Sequence, residues 1–330
     1  MNSYSSMLII QGPIESVGRT GKSLHNPYGG VGLDSIVRFD SSATINEYIS
    51  NYSKHFDLIV ISTWDSEDTS RLISARNLHI IKSQDNLRSL HPNNANTGYS
   101  GNNKYRQFHS LKAGLEYGEL KGIQLAIKVR SDNSVNAACL LDSVSQNPNH
   151  LWFPKIGNRK NYLEDFYLGG SVRNLMTMCD SMLNQRSLHR SVHYDLFYKS
   201  VQALEEINFR NVFDFFPRTH VWTISQSKLI ARANSDFFSY FPLEVWNNQI
   251  WRGEMIENPF RITADQSFFS TAIPVTVKPS YRSFDVRAFS YFVLGDALGV
   301  HMIQNLSSIR YLPSKIRAFL VRFVRRLPRL

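Results

Sequence analysis

The chain has 330 residues, 42% hydrophobic and 19% charged, a balance that supports a packed core and excludes global disorder. That length accommodates one large α/β domain, or a main domain with a smaller lobe. Of the net charge of +10, seven positive charges lie from Arg310 onward with no acid among them, leaving +3 for the rest. A nucleic-acid binder spreads its basic residues over a folded face, so this distribution argues against a nucleic-acid partner.

Met7–Ile10 is a short apolar run stopped by Gln11-Gly12-Pro13, as expected for a buried strand entering a loop. No cationic segment precedes it, so it is no secretory signal. No apolar run in the chain approaches the roughly 20 residues of a membrane span. The expectation is a protein on the cytoplasmic side that does not cross the membrane. Thr44 and Glu47 have capping-box spacing, and Ile45, Tyr48, Ile49 and Tyr52 then share one helical face. Leu58–Ile61 reads as a second strand stopping at Ser62-Thr63-Trp64-Asp65, and His79–Ile81 as a weaker third.

Residues 92–103 are almost all small or polar and predict a loop, followed by a helix with Phe108, Leu111 and Leu115 inward. Ile123–Val129 reads as a strand ending at Arg130-Ser131-Asp132-Asn133. Alternation of this kind predicts a mainly parallel sheet covered on both faces, with ligands at the carboxyl ends of its strands. Further on, Asp165-Phe166-Tyr167-Leu168-Gly169-Gly170 ends a predicted strand and leads into a helix around Leu175, Met176, Cys179 and Leu183. Helices are also predicted near Leu196–Ile207 and Ala264–Ala272, and the aromatic stretch from Phe209 to Trp251 is expected to wall the cleft. Cys139 and Cys179 are too few for a disulfide framework and read as buried thiols in helices.

Several residues could carry chemistry. Asp132, at the end of a central strand, either holds a divalent cation (magnesium or manganese) against a diphosphate or caps the helix starting near Val135. Arg130 could meet phosphates directly. Arg106 and Gln107 read as the opening of a helix, where a guanidinium beside a helix N-terminus suits a phosphate. Asp165, ahead of two glycines, could contact an acceptor or serve as a base; Asp265-Gln266 could do the same or simply sit in a helical first turn. His189 and His193 lack the glutamate of a metalloprotease pair and read as surface histidines. GxSxG, GxxxxGK[ST] and GxGxxG are absent, and Gly29-Gly30-Val31-Gly32 does not follow a strand.

In order along the chain, these pieces resemble the WavE family of lipopolysaccharide-synthesis proteins. The resemblance runs from Leu8 to Ala272. It rests on Ile9-Ile10-Gln11-Gly12-Pro13-Ile14 with Thr20, Leu58-Ile59-Val60-Ile61-Ser62-Thr63-Trp64, Asn103 with Arg106-Gln107, and Gly114-Leu115. Lys128-Val129-Arg130-Ser131-Asp132, Asp165-Phe166 with the glycines, and Asp265-Gln266 complete it. It implies a GT-A-like fold, with a Rossmann-type, mainly parallel sheet, and transfer from a nucleotide-sugar donor to a lipopolysaccharide-core, lipid-linked or other surface-glycan acceptor. Carried over, Gln11, Gly12, Ser62 and Thr63 lie near the nucleoside, Arg106, Gln107 and Arg130 near the diphosphate, and Asp132 at a metal, with Asp165 and Asp265 as catalytic candidates. The chain departs from the family's GT-A pattern where Arg130 stands in the first acidic place of Asp-x-Asp, and where Asp265 stands in place of glutamate.

The corresponding organisation is a transferase domain over 1–309, with a nucleotide-binding half to about 150 and an acceptor half beyond, then a basic helix over 310–330. In that helix Ile316, Phe319, Leu320, Phe323, Val324 and Leu327 share a stripe backed by arginines, as in helices lying on an anionic leaflet. The rival readings are a sugar-nucleotidyltransferase, whose glycine- and basic-rich loop Gln11-Gly12-Pro13-Ile14 does not supply, and a membrane-bound scaffold that holds glycan without turning it over.

Overall fold

The computed structural model describes residues 4–18, 20, 37–85, 100–154, 163–184, 192–204 and 233–256. In chain order these form β1 (Ser6–Gln11), β2 (Glu15–Gly18), β3 (Val37–Asp40), α1 (Ser42–Tyr52), β4 (Leu58–Trp64), β5 (Leu78–Ser83) and α2 (Ser100–Leu120). There follow β6 (Leu125–Arg130), β7 (Asn133–Ser134), α3 (Ala137–Gln146), β8 (Leu151–Phe153), β9 (Tyr167–Ser171), α4 (Val172–Asn184) and α5 (Val192–Leu204). The last are β10 (Phe238–Tyr240), α6 (Leu243–Asn247), β11 (Ile250–Trp251) and β12 (Glu254–Met255).

The main sheet has seven strands in the order β10-β8-β9-β6-β1-β4-β5. The four strands β6, β1, β4 and β5 run parallel, and β9 lies antiparallel against β6. The fold is therefore mixed α/β with a mostly parallel central sheet. Strands buried on both faces need unbroken apolar runs rather than alternation, and Met7–Ile10 and Leu58–Ile61 supply them. Successive side chains point to opposite faces. Met7 and Ile9 accordingly join α2, α4 and α5 in one core, while Leu8 and Ile10 join α1 and α3 in the other.

Several boundaries differ from the sequence reading. Helix α1 begins at Ser42, ahead of Thr44, and Ser41 at its N-cap makes no side-chain cap bond, so the capping box does not form. Its buried face is nonetheless Ile45, Tyr48 and Ile49. Strand β4 continues through Ser62 and Thr63 to Trp64, because the pairing with β5 persists to Ser83. Helix α2 opens at Ser100, so Arg106 and Gln107 lie in its second turn instead of at its N-terminus. Ser, Gly and Asn are weak helix formers, and they disguise that first turn in the sequence.

Asp165 precedes β9 rather than belonging to a strand. The α3 cap is Asn136, whose side chain accepts the Cys139 N–H at 3.1 Å, so Asp132 is not the helix cap. Cys179 is buried and Cys139 half-buried, both as free thiols in helices. Among the described residues no helix is long and apolar enough to cross a membrane. The predicted helix near Ala264–Ala272, Asp265 itself, His189 and the 310–330 segment lie outside the described residues, as does most of the Phe209–Trp251 stretch. From its end, Trp246 and Trp251 pack edge-on against Phe166, at 5.6 and 5.1 Å between ring centroids.

Candidate functional site

Register brings the strand ends together. Gln11 at the end of β1 lies opposite Ser62 of β4 on one side and Arg130 of β6 on the other. Because β9 is antiparallel to β6, with Tyr167 opposite Val129, the chain just before β9 reaches the same edge. This places Asp165 at that edge, beside Lys128 of β6, although it stands ahead of its strand. At this edge a cleft of about 360 Å³ is lined by Gln11, Gly12, Glu15, Ser16, Trp64, Glu67, Arg106, Gln107, Arg130, Ser131, Asp132 and Arg252, among others.

The cleft floor is tied to helix α2. The Gln11 amide donates to the Gln107 carbonyl and to Ser110 Oγ, the latter at 2.8 Å, and Ser62 Oγ donates to the Ser110 carbonyl at 2.6 Å. Gln11 Oε1 is buried without a hydrogen-bond partner. Gly12 has φ +134°, and a Cβ there would stand 2.5 Å from Ser131 Oγ. Only glycine lets the turn after β1 lie flat against the turn after β6. From α2, Arg106 lies over the Trp64 ring, 4.9 Å from its centroid, and pairs with Asp85 at 2.5 Å.

Asp132 is the hub of the opposite wall and is only 2% exposed. Arg130 grips it with both nitrogens of one edge, Nε to Oδ1 at 2.9 Å and Nη2 to Oδ2 at 3.0 Å. Arg252 Nη2 reaches Oδ2 at 2.9 Å, and Ser16 Oγ donates to the same oxygen at 2.7 Å while accepting from Arg252 Nε at 2.9 Å. Burial alone would push the Asp132 carboxyl up, yet Arg130 and Arg252 hold it well below the usual carboxylate range. Burial likewise pulls on Arg130, and the Asp132 charge more than offsets it, raising its value. The Arg130 guanidinium also faces the Phe166 and Trp251 rings at 5.4 and 5.6 Å.

Behind the cleft lies a second buried cluster. Lys128 is fully buried on β6 and donates to the Asp165 carbonyl, which also takes a long 3.4 Å bond from the Gln107 amide. Burial lowers the Lys128 ammonium from 10.5 to about 7. Burial would raise Asp165, but His193, Lys128 and Arg130 outweigh it and keep this carboxyl low. Glu164, Asp165 and His193 each offer a ligating atom, all within 4.8 Å of one another, so this group has a donor set that could hold a cation. His193 is thus part of a polar cluster rather than a plain surface histidine.

Of the residues singled out in the sequence, Gln11, Gly12, Arg106, Gln107, Arg130 and Asp132 line one cleft. Ser62 and Thr63 are fully buried beneath it and do not line it, since β4 runs on past them. Asp165 is 5% exposed and adjoins the cleft through Gln107. A divalent cation at Asp132, as expected from the sequence, would compete with two guanidiniums and a hydroxyl, since Oδ2 takes three donors and Oδ1 one. Sequence reasoning missed Arg252, Ser16 and Lys128. Lys128 carried a signal, being the lone cation inside an apolar strand; Arg252 carried none, because it arrives from 120 residues downstream of Asp132.

No protein-family model matches the sequence, and neither does any curated protein. Among solved structures the chain is similar to a cytidylyltransferase from Leptospira borgpetersenii serovar Hardjo-bovis (strain JB197), with TM-score 0.30 and 11% identity, covering 53% of this chain and 64% of that one. It is also similar to a protein from Desulfovibrio desulfuricans G20 proposed to be a nucleotide-diphospho-sugar transferase, with TM-score 0.36 and 9% identity, covering 71% and 96% of the two chains.

Proposed function

We propose that the chain is a glycosyltransferase that moves a sugar from a nucleotide-sugar donor to a lipopolysaccharide-core or other surface-glycan acceptor, on a GT-A-like fold. The observation that carries this reading is the convergence of Arg106, Arg130 and Arg252 on one cleft at the carboxyl ends of β1, β4 and β6. Ligands of open α/β sheets bind at that edge, and guanidiniums match phosphate oxygens.

In this reading the donor's anomeric carbon–oxygen bond breaks, and negative charge develops on the departing nucleoside diphosphate. Arginines fixed in a partly water-excluded wall stabilise that charge without reorganising. The buried, unpartnered Gln11 Oε1 suits a donor group of the nucleoside. The acceptor hydroxyl forms the new bond and loses its proton to a base, for which Asp165 and Asp265 are the candidates. If the glycan acceptor is lipid-borne, the arginine-backed stripe at 316–327 is the element that would bring the protein to an anionic leaflet.

The test is incubation with a panel of nucleotide-sugars and core-oligosaccharide acceptors, followed by product analysis. Release of free nucleoside diphosphate together with an extended glycan supports the proposal. Release of pyrophosphate would make the chain a nucleotidyltransferase, and absence of any nucleotide binding in calorimetry would make it a scaffold.

A further inference from the structure

Arg252 is delivered by an unusual piece of backbone. Its φ of +48° is the sole positive value among the described non-glycine residues, and Gly253 follows at +77°. The left-handed conformation is disfavoured for a residue with a Cβ, and where it persists the surroundings must hold it. Here they do. Strand β11 pairs with β7, Trp251 opposite Asn133, and the Arg252 N–H donates to the Asp132 carbonyl at 2.9 Å. The turn thus docks on the residue that its own side chain grips, and the guanidinium also lies over the Trp251 ring at 4.7 Å.

The consequence for Asp132 is chemical. A carboxylate offers about four lone-pair sites, two on each oxygen, and here Oδ2 is saturated by Arg130, Arg252 and Ser16 while Oδ1 takes Arg130 Nε. A magnesium ion, which prefers octahedral oxygen coordination, would find only the remaining Oδ1 site, beside the Arg130 guanidinium whose like charge opposes it. Among the described residues, moreover, the one group of three or more potential metal ligands is Glu164, Asp165 and His193, which does not include Asp132. Two guanidiniums against one carboxylate leave the Asp132 cluster itself net positive, facing Glu15 and Glu67 of the same cleft, and more than a quarter of the Arg130 side chain stays exposed.

We infer that the cleft binds the donor's diphosphate without a divalent cation, using Arg130 and Arg252 as its cationic contacts, both held in place by Asp132. This rests on the proposed nucleotide-sugar reading and adds Arg252, from the far end of the described chain, to the donor site. The two arginines supply fixed positive charge where a metal ion would otherwise do so.

The experiment is calorimetry of the full chain with UDP, GDP, CDP and dTDP, in excess EDTA and again with magnesium or manganese. The expected result is that whichever diphosphate binds does so with the same affinity, within about twofold, in both conditions. Arg252→Gln and Arg130→Gln should each weaken that binding roughly 10- to 100-fold, the loss typical of one charge-assisted contact. The matching free nucleoside should bind each variant as it binds the wild type, which separates a lost phosphate contact from a disturbed fold. Arg252→Lys, which keeps charge but not the fork, should fall between wild type and Arg252→Gln. Binding that vanishes in EDTA and returns with the cation overturns the inference while leaving the nucleotide-sugar reading intact. Undiminished diphosphate binding by Arg252→Gln, or an equal loss for diphosphate and nucleoside, overturns the role of Arg252. If no diphosphate binds in either condition, the nucleotide-sugar reading itself fails, and the inference falls with it.

Discussion

Asp132 and Lys128 are both buried charges, but their environments give them opposite effects on stability. Asp132 is fully paired, so removing its charge strands two guanidiniums in a site with little water. Breaking a buried ion pair from one side costs about 3–5 kcal/mol. Asp132→Asn is therefore expected to lower the urea midpoint clearly, and an unchanged midpoint would show that the pairing contributes nothing. Its folded pKa is depressed, so its stabilisation is present above the ordinary carboxylate value of 3.8 and is lost as pH falls below it. Lys128 carries a penalty instead. Burial holds it near 7 when folded against 10.5 when free, so between those values the unfolded chain binds the extra proton and stability rises with pH. One proton sets the limit at about 1.4 kcal/mol per pH unit. Denaturant curves at pH 7 to 10 should show that rise in the wild type and a flatter profile in Lys128→Met; identical slopes would refute a depressed Lys128.

Among the elements, the contact of β9 with its neighbours is the most demanding. Gly169 faces the Ile127 position of β6, and a Cβ there would come within 2.5 Å of Val144, 2.9 Å of Ile127 and 3.0 Å of Phe241. These atoms close in from α3, from β6 and from the segment after β10, so no single rotation relieves them. Gly169→Ala is expected to destabilise by about 1–3 kcal/mol, the usual cost of overpacking, read as a lower thermal midpoint. Because β9 positions Asp165, the same variant should disturb the cleft from behind. A midpoint equal to that of the wild type would mean that the β6–β9 interface yields more easily than its distances imply.

At the scale of the whole molecule, one seven-stranded sheet joins strands from both halves of the chain, and the cleft takes Arg252 from the second half and its other lining from the first. A ligand in that cleft should stabilise the whole sheet by mass action, about 2.7 kcal/mol at a hundredfold excess over Kd. A nucleoside diphosphate is accordingly expected to raise the melting temperature by several degrees, and no shift from any nucleotide would count against the donor site. The terminal stripe makes a separate prediction. Each cation near an anionic surface contributes about 1 kcal/mol, so deleting residues 314–330 should abolish sedimentation with anionic liposomes while nucleotide binding survives. Early melting or aggregation of the truncated protein would instead make that segment part of the core.

What could be read from the chain alone was whatever depends on local periodicity. The apolar runs at Met7–Ile10 and Leu58–Ile61 follow from strands buried on both faces, and the inward face Phe108, Leu111 and Leu115 from the period of a helix; these and the strand before Arg130 are buried as expected. The parallel edge followed from those strands, and with it the cleft residues at their ends, Gln11, Gly12, Arg130 and Asp132. Boundaries were less legible. Ser62 and Thr63 look like loop residues, yet pairing with β5 holds them in a strand, and Asn136 rather than Thr44 or Asp132 makes a helix cap. What the tertiary structure alone decided is the state of Asp132. A carboxylate at a strand end reads equally as a metal ligand, a cap or an ion-pair partner, since the residue itself is the same in all three. Arg252, brought in by a left-handed turn from 120 residues away, makes it an ion-pair partner, because long-range pairing of β11 with β7 leaves no periodic trace in the sequence.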